Sequence, residues 1–283
     1  MKTYLDCVSC LVRQAVDAVK VAAPDEETRM KTLRAVLEEA TKVDYASSPP
    51  AMGGRIHRVI REATGNPDPY LEMKKHCNRL ALDGLEDLRA RVDASSDPLD
   101  TAVRIAIAGN VMDFSVLEAG EDVRIEEAID AALQEPFGID HLDAFREAVD
   151  EADSILYLAD NAGEIVLDNL LLDRLPAGHT VVSVKGSPII NDALMEDAEE
   201  AGITRRFEVI TTGSSFPGVL PETCSRSFLD RLERADLVIA KGQANYESLE
   251  GTRRGIFHLF RAKCSIVSRD VGVPQGSWVV MKG

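Results

Sequence analysis

Four compact apolar runs punctuate the second half of the chain: Ser154 to Ala159, Thr180 to Val184, Phe207 to Thr211 and Leu237 to Ala240. Between them lie stretches with helical spacing, Ile165 to Leu175, Asn191 to Ala201 and Phe228 to Arg234. A strand with one wet face would alternate apolar and polar residues. Continuous β-branched runs separated by helices instead describe a parallel sheet buried on both faces. Two further runs, Ser265 to Val267 and Trp278 to Met281, extend the sheet, and Ala102 to Gly109 reads as an earlier strand ending in Gly109-Asn110. The expected fold class is α/β: a three-layer, doubly wound, mostly parallel sheet.

The first 95 or so residues read differently. Leu11, Ala15, Val19 and Ala22 share one helical stripe, and Glu26 to Val43 repeats the pattern with Met30, Leu33, Val36 and Leu37 inward. Asp25 is placed to cap that second helix. Ser47-Ser48-Pro49-Pro50 breaks the chain before a helix containing Ile56, Val59 and Ile60; Gly65-Asn66-Pro67-Asp68-Pro69 is a strong turn, and Tyr70 to Val92 resumes helix. The division expected is an all-helical domain over 1–95 and an α/β metal-binding catalytic domain over 96–283.

Of 283 residues, 45% are apolar, which permits a substantial core. Thirty-two basic against 48 acidic residues leave a net charge of −16. A surface that negative disfavours nucleic acid and anionic lipid as partners. A phosphorylated substrate would need a local cation in order to dock. There is no run of apolar residues long enough for a membrane span and no apolar signal core after Met1, so a cytoplasmic location is expected. Cys7, Cys10, Cys77, Cys224 and Cys264 do not form a secreted disulfide framework. Cys7 and Cys10 supply half of a structural metal site, which His57, His76 and Cys77 are available to complete; buried thiols or a redox pair are the alternatives.

Open α/β sheets bind ligands beyond the carboxyl ends of their strands. There the sequence repeatedly places Gly with Asp, Asn or Lys: Asp160, Asn161, Gly163 and Glu164; Lys185, Gly186, Asn191 and Asp192; Lys241, Gly242, Asn245, Tyr246 and Glu247; Gly109, Asn110 and Asp113. Asp160, Asn161 and Asp192 offer the oxygen ligands a hard divalent cation prefers. Lys185 and Lys241 would supply positive charge for phosphoryl oxygens. Taken singly, Asp160 or Asn161 is an ordinary helix cap and Lys185-Gly186 an ordinary turn; the joint placement carries the argument.

These blocks resemble the signature segments of the damage-control phosphatases, a family long catalogued as a domain of unknown function. They are Asp160-Asn161-Ala162-Gly163-Glu164, Lys185-Gly186-Ser187-Pro188-Ile189-Ile190-Asn191-Asp192 and Lys241-Gly242-Gln243-Ala244-Asn245-Tyr246-Glu247. Gly109-Asn110 with Asp113, the Cys7/Cys10 pair, and Asp68-Pro69-Tyr70 with Lys74 and Asn78 resemble its compact prokaryotic branch. The resemblance implies a helical part packed on a three-layer α/β part. It also implies a divalent metal (Mn²⁺, Mg²⁺, Co²⁺ or Ni²⁺) on Asp160, Asn161 and Asp192, and hydrolysis of phosphate esters of small, damaged or off-pathway metabolites such as sugar phosphates. The Arg-Thr-x-Lys block of larger relatives is absent.

On this reading Asp160, Lys185 and Lys241 are catalytic, with attack by water or by Asp160 itself left open. Asn110, Asp113, Asn245 and Tyr246 shape the substrate edge, and Glu164 either orients water or steadies its helix start. Two other classes remain: an adenosylmethionine-dependent methyltransferase, against which the lack of a Gly-rich cofactor loop weighs, and a non-catalytic, metal-dependent metabolite-binding protein.

Overall fold

The computed structural model describes residues 1–112, 125–252 and 255–283. Five helices come first: α1 (Leu5–Ala22), α2 (Glu26–Ala40), α3 (Pro49–Thr64), α4 (Leu71–Asp93) and α5 (Pro98–Ala108). After α6 (Ile125–Gln134) the chain alternates through β1 (Phe137–Asp140), α7 (Leu142–Glu151), β2 (Ile155–Leu158), α8 (Glu164–Leu172), β3 (Thr180–Val184), α9 (Met195–Glu200) and β4 (Glu208–Thr211). It ends with α10 (Arg226–Arg234), β5 (Leu237–Lys241), α11 (Gln243–Leu249), β6 (Ile256–Arg261), α12 (Ser265–Val271) and β7 (Trp278–Lys282).

The strands form one sheet of order β1-β7-β6-β5-β2-β3-β4. Every neighbouring pair is parallel except β6 with β7. The α/β, mostly parallel expectation holds. Chain order runs one way from β2 through β3 to β4, and the other way from β5 to β6. The crevice between β2 and β5 is therefore the topological switch point, where sheets of this kind bind ligands.

Both faces of the sheet are buried, and the period of two explains how. On β2, Ile155 and Tyr157 join a core with Phe145 of α7, Ile105 of α5 and the apolar residues of α8. Leu156 and Leu158 point the other way, to Phe228 and Leu232 of α10. All nine residues of α8 are buried, because α4 and α5 cover the side turned away from the sheet. Leu167, Leu170 and Leu171 each contribute about 1.5–3 kcal/mol by that burial. A separate core joins α1, α2 and α3 through Ala15, Val19, Val36, Met52, Ile56 and Ile60. The two cores meet on α4, where Met73 packs against both.

Some expectations are corrected. Ala102 to Gly109 is not a strand but most of α5. Asp97 caps that helix by accepting from the Asp100 amide, and Pro98 opens it. Buried on nearly every side, it carries too few polar residues to display a helical period. Ser265 to Val267 begins α12, capped by Cys264; the strand beside β5 is Ile256–Arg261, and Phe137–Asp140 forms the sheet edge. On α2, Met30 and Leu37 are 50% and 44% exposed, because the inward stripe passes through Thr32 and Val36.

His57 on α3 is buried, with its ring tilted against Tyr70. Burial, and to a lesser degree the charge of Arg61, lower its pKa to about 4. An unfolded His binds a proton near pH 6.5, so on acidification the unfolded state gains protons first. Stability is expected to be intact above pH 6.5 and to fall by up to about 3 kcal/mol as the pH drops to about 4. Urea unfolding of the protein and of His57→Leu across this range checks it; equal acid slopes would refute it.

Candidate active site

Asp160 and Asn161 follow β2 after a single residue, Ala159. The chain there runs beside residues 191–193: Asn161 and Asp192 form an isolated antiparallel bridge, Ala193 N donates to Asp160 O at 2.8 Å, and Ala162 N to Asn191 O at 2.8 Å. Backbone pairing therefore sets the three expected cation ligands side by side. The turn into Asn191 passes through Ile190 at φ 44°, a left-handed conformation that a β-branched residue adopts only under constraint. From the neighbouring strand β5 comes Gly242, at φ 79°. A Cβ there would lie 1.8 Å from Asp160 Oδ2, so only glycine allows the two strand ends to approach.

Three layers of polar side chains fill the crevice. In the deepest, the Lys241 ammonium donates to Ala106 O at 2.9 Å, to Glu164 Oε1 at 2.9 Å and to Asp168 Oδ1. Lys241, Glu164 and Asp168 are wholly inaccessible. Burial alone would lower the lysine pKa, but Asp168 and then Glu164 outweigh it and hold the charge in place. Above them, Glu164 Oε2 accepts from Asn110 Nδ2 at 2.7 Å and Asn161 Nδ2 at 2.9 Å. The same two amides donate to Asp160 Oδ2, at 2.8 and 2.9 Å. Outermost are Asp160, Asp192 and Lys185, whose Nζ stands 3.4 Å from Asp192 Oδ2 and also bonds Gly218 O.

The electrostatics of the outer layer are unbalanced. Asp160 has its pKa raised well above the carboxylate range, first by burial, then by Glu164 and Asp192; Lys263 and Lys185 offset this only in part. Asn110 Oδ1 and Asn245 Oδ1 are buried acceptors that no donor among the described residues reaches. Excess negative charge and unmet oxygen acceptors fit a hard divalent cation. The donors combine carboxylate and amide oxygen; among the described residues, no group of three or more His, Cys, Asp or Glu side chains is arranged to hold a metal.

The expected site residues are thus partly gathered and partly dispersed. Asp160, Asn161, Asp192, Lys185, Glu164 and Asn110 converge. Asn245 lies against them, donating to Lys241 O at 2.7 Å. Lys241 is corrected: its three donors are spent inside the protein, so it cannot reach a phosphoryl group, and it neutralises Glu164 and Asp168 instead. Tyr246 is corrected too, since its hydroxyl donates to Asp270 at 2.7 Å and its ring stacks on Phe260. Asp113 lies outside the described residues. Asp168 was missed, although its place one turn after Glu164 in an otherwise apolar helix is a signal of a shared face.

The residues expected to complete a site with Cys7 and Cys10 do not reach them. Cys77 sits in the main core on α4 and His57 beside Tyr70. Glu247, Cys264 and Cys10 lie near Cys7, and its thiol pKa is raised, mainly by burial. That direction is opposite to the lowered pKa of a reactive cysteine. At the amino ends of β2 and β3 lies an open groove of about 540 Å³ bordered by Ser154, His179, Glu208 and Arg231, at the opposite end of the strands from this cluster. Among the described residues no helix is long and apolar enough to cross a membrane.

Comparison with known proteins follows the same lines. Over residues 3–279 the chain matches the damage-control phosphatase ARMT1-like domain. An uncharacterised protein of Methanocaldococcus jannaschii is 36% identical, the alignment covering 100% of this chain and 96% of that one. Damage-control phosphatases of Pyrococcus horikoshii and Archaeoglobus fulgidus are 33% and 35% identical, over 100% and 99% of this chain and 98% of each of theirs. The crystal structure of a DUF89 family protein from Pyrococcus horikoshii superposes with a TM-score of 0.88 at 33% identity, covering 100% of this chain and 99% of that one. The chain belongs to the damage-control phosphatase ARMT1-like family.

Proposed function

We propose that this protein is a phosphatase that hydrolyses phosphate monoesters of small metabolites, sugar phosphates among them. In this reading a divalent cation (Mn²⁺, Mg²⁺, Co²⁺ or Ni²⁺) is held by Asp160, Asn161 and Asp192. The observation that carries it is the meeting of oxygen donors from two loops, beside Lys185, at the switch point of the sheet. The names of the relatives from Pyrococcus horikoshii and Archaeoglobus fulgidus support the phosphatase class.

Asp160, Asn161 and Asp192 would hold the cation, which would supply Lewis-acid polarisation of a phosphoryl oxygen and neutralise charge growing during displacement. The chain's own groups divide the remaining work. Lys185, 4% exposed and next to Asp192, presents positive charge to the phosphoryl group. Asn110 and Asn161 fix the orientation of the Asp160 carboxylate by donating to its Oδ2. Lys241, anchored also by Asp168, holds Glu164 aligned beneath both amides. Attack on phosphorus falls to water or to Asp160; a phosphorylated Asp160 trapped by rapid acid quench would select the second route.

The test is direct. Protein stripped with a chelator is expected to release no phosphate from an aryl phosphate, and to regain release when one of the four ions is returned. Equal release by the stripped protein would overturn the role of the cation. A panel of phosphorylated metabolites assayed with the active ion then ranks substrates.

A further inference from the structure

One side chain on α4 bonds the loop that carries Asp160-Asn161 and also the helix α9 that follows the Asp192 loop. Asn78, on α4, is fully buried. Its Oδ1 accepts from the backbone amide of Gly163 at 2.6 Å, and its Nδ2 donates to Asp197 Oδ1 and Glu200 Oε2, both at 2.8 Å. Gly163 links Asn161 to α8 and holds φ 74°, so its peptide sets the direction in which the Asp160–Glu164 loop leaves the sheet. Asp197 in turn accepts from the amide of Leu194 at 2.7 Å, two positions after Asp192. A hydrogen-bonded path therefore runs from Gly163 through Asn78 and Asp197 to Leu194, joining both loops from above the sheet. Neutral Asn suits this place. It needs one acceptor for an amide and two donors for two carboxylates, which no other side chain of its size supplies.

An amide that merely attached the helical part to the sheet could bond any polar group on the facing surface. Asn78 instead reaches the peptide between two site residues and the carboxylate that fastens the next loop. One turn earlier on α4, Lys74 is buried and paired with Asp68 at 2.7 Å, which fixes the rotation of this helix face. Taking the metal-dependent reading above as its basis, we propose that Asn78 is a positioning residue that holds the two cation-binding loops in register. The helical part thereby completes the site as well as covering it.

The experiment combines Mn²⁺ titration calorimetry on the full chain with amide exchange of Gly163 in metal-free protein. Asn78→Ala is expected to weaken Mn²⁺ binding about tenfold or more, the effect usual for groups that orient metal ligands, and to speed Gly163 exchange. Should the alanine variant give little soluble protein, Asn78→Leu keeps nearly the same volume while removing the acceptor and both donors, and the same weakening and faster exchange are expected. Leu85→Ala, a packing change on the same helix, is expected to lower the melting midpoint and leave Mn²⁺ affinity within about twofold. Asn78 variants that bind Mn²⁺ as tightly as the parent, or protect Gly163 equally well, overturn the proposal. Parent protein that takes up no divalent cation would instead sink the metal reading, while the exchange measurement still decides whether Asn78 holds the loop.

Discussion

Replacing Lys241 by Met is expected to lower the free energy of unfolding by about 3–5 kcal/mol at neutral pH, the penalty usual for breaking a buried ion pair from one side. The side chain is fully buried and bonded to Glu164, Asp168 and the Ala106 carbonyl. Met fills nearly the same volume, so the loss comes from charge: two carboxylates are left in a dry interior with no cation. Asp168→Asn is the milder partner, since Lys241 then keeps Glu164. Urea unfolding of both variants gives the comparison. A Lys241→Met loss below about 1 kcal/mol, with the slope of the transition unchanged, would mean that the triad is solvated and its assigned depth wrong. Because Glu164 also orients Asn110 and Asn161, the same variant is expected to lose phosphatase activity even where it remains folded.

Lys241 also shows where reading a sequence stops. A lysine and a glycine after an apolar run look like an anion cradle, and nothing local contradicts it. Depth is decided by Ala106, Glu164 and Asp168, which lie more than seventy positions away and close over the ammonium only in three dimensions. Local chemistry was legible where it was sufficient. The β2, β3 and β5 runs are almost wholly buried and announce themselves by continuous aliphatic residues, as do the buried start of β7 and the half-buried edge strand β4. Asp160, Asn161 and Asp192 follow strand ends, and strand ends converge in any doubly wound sheet. It failed for α5, whose burial removes the polar half of the helical period, and for β6, whose Phe-His-Leu-Phe run carries a His258 that is buried rather than exposed. Asn78 was visible only as part of a family resemblance; its bond to Gly163 could not be read from spacing.

Asp160→Asn is expected to move activity and stability in opposite directions. Phosphate release should fall about 10³-fold or more, the scale seen when a residue that acts directly on the reacting atoms is removed. Metal-free protein, by contrast, should become more stable, because the variant no longer carries that buried charge. The reason lies in the apo electrostatics: the Asp160 carboxylate is buried, faces Glu164 and Asp192, and binds its proton far more tightly than a free carboxylate does. Asparagine removes that charge while its oxygen still accepts from Asn110 and Asn161, the two amides now bonded to Asp160 Oδ2. Strain of this sign is what a cation site carries when its ligands are held together before the ion arrives. Melting curves of parent and variant with and without Mn²⁺ separate the contributions, since the parent should gain from the ion and the variant should not. A variant that is less stable without metal, or that still turns over an aryl phosphate at the parental rate, would place the repulsion and the chemistry somewhere other than Asp160.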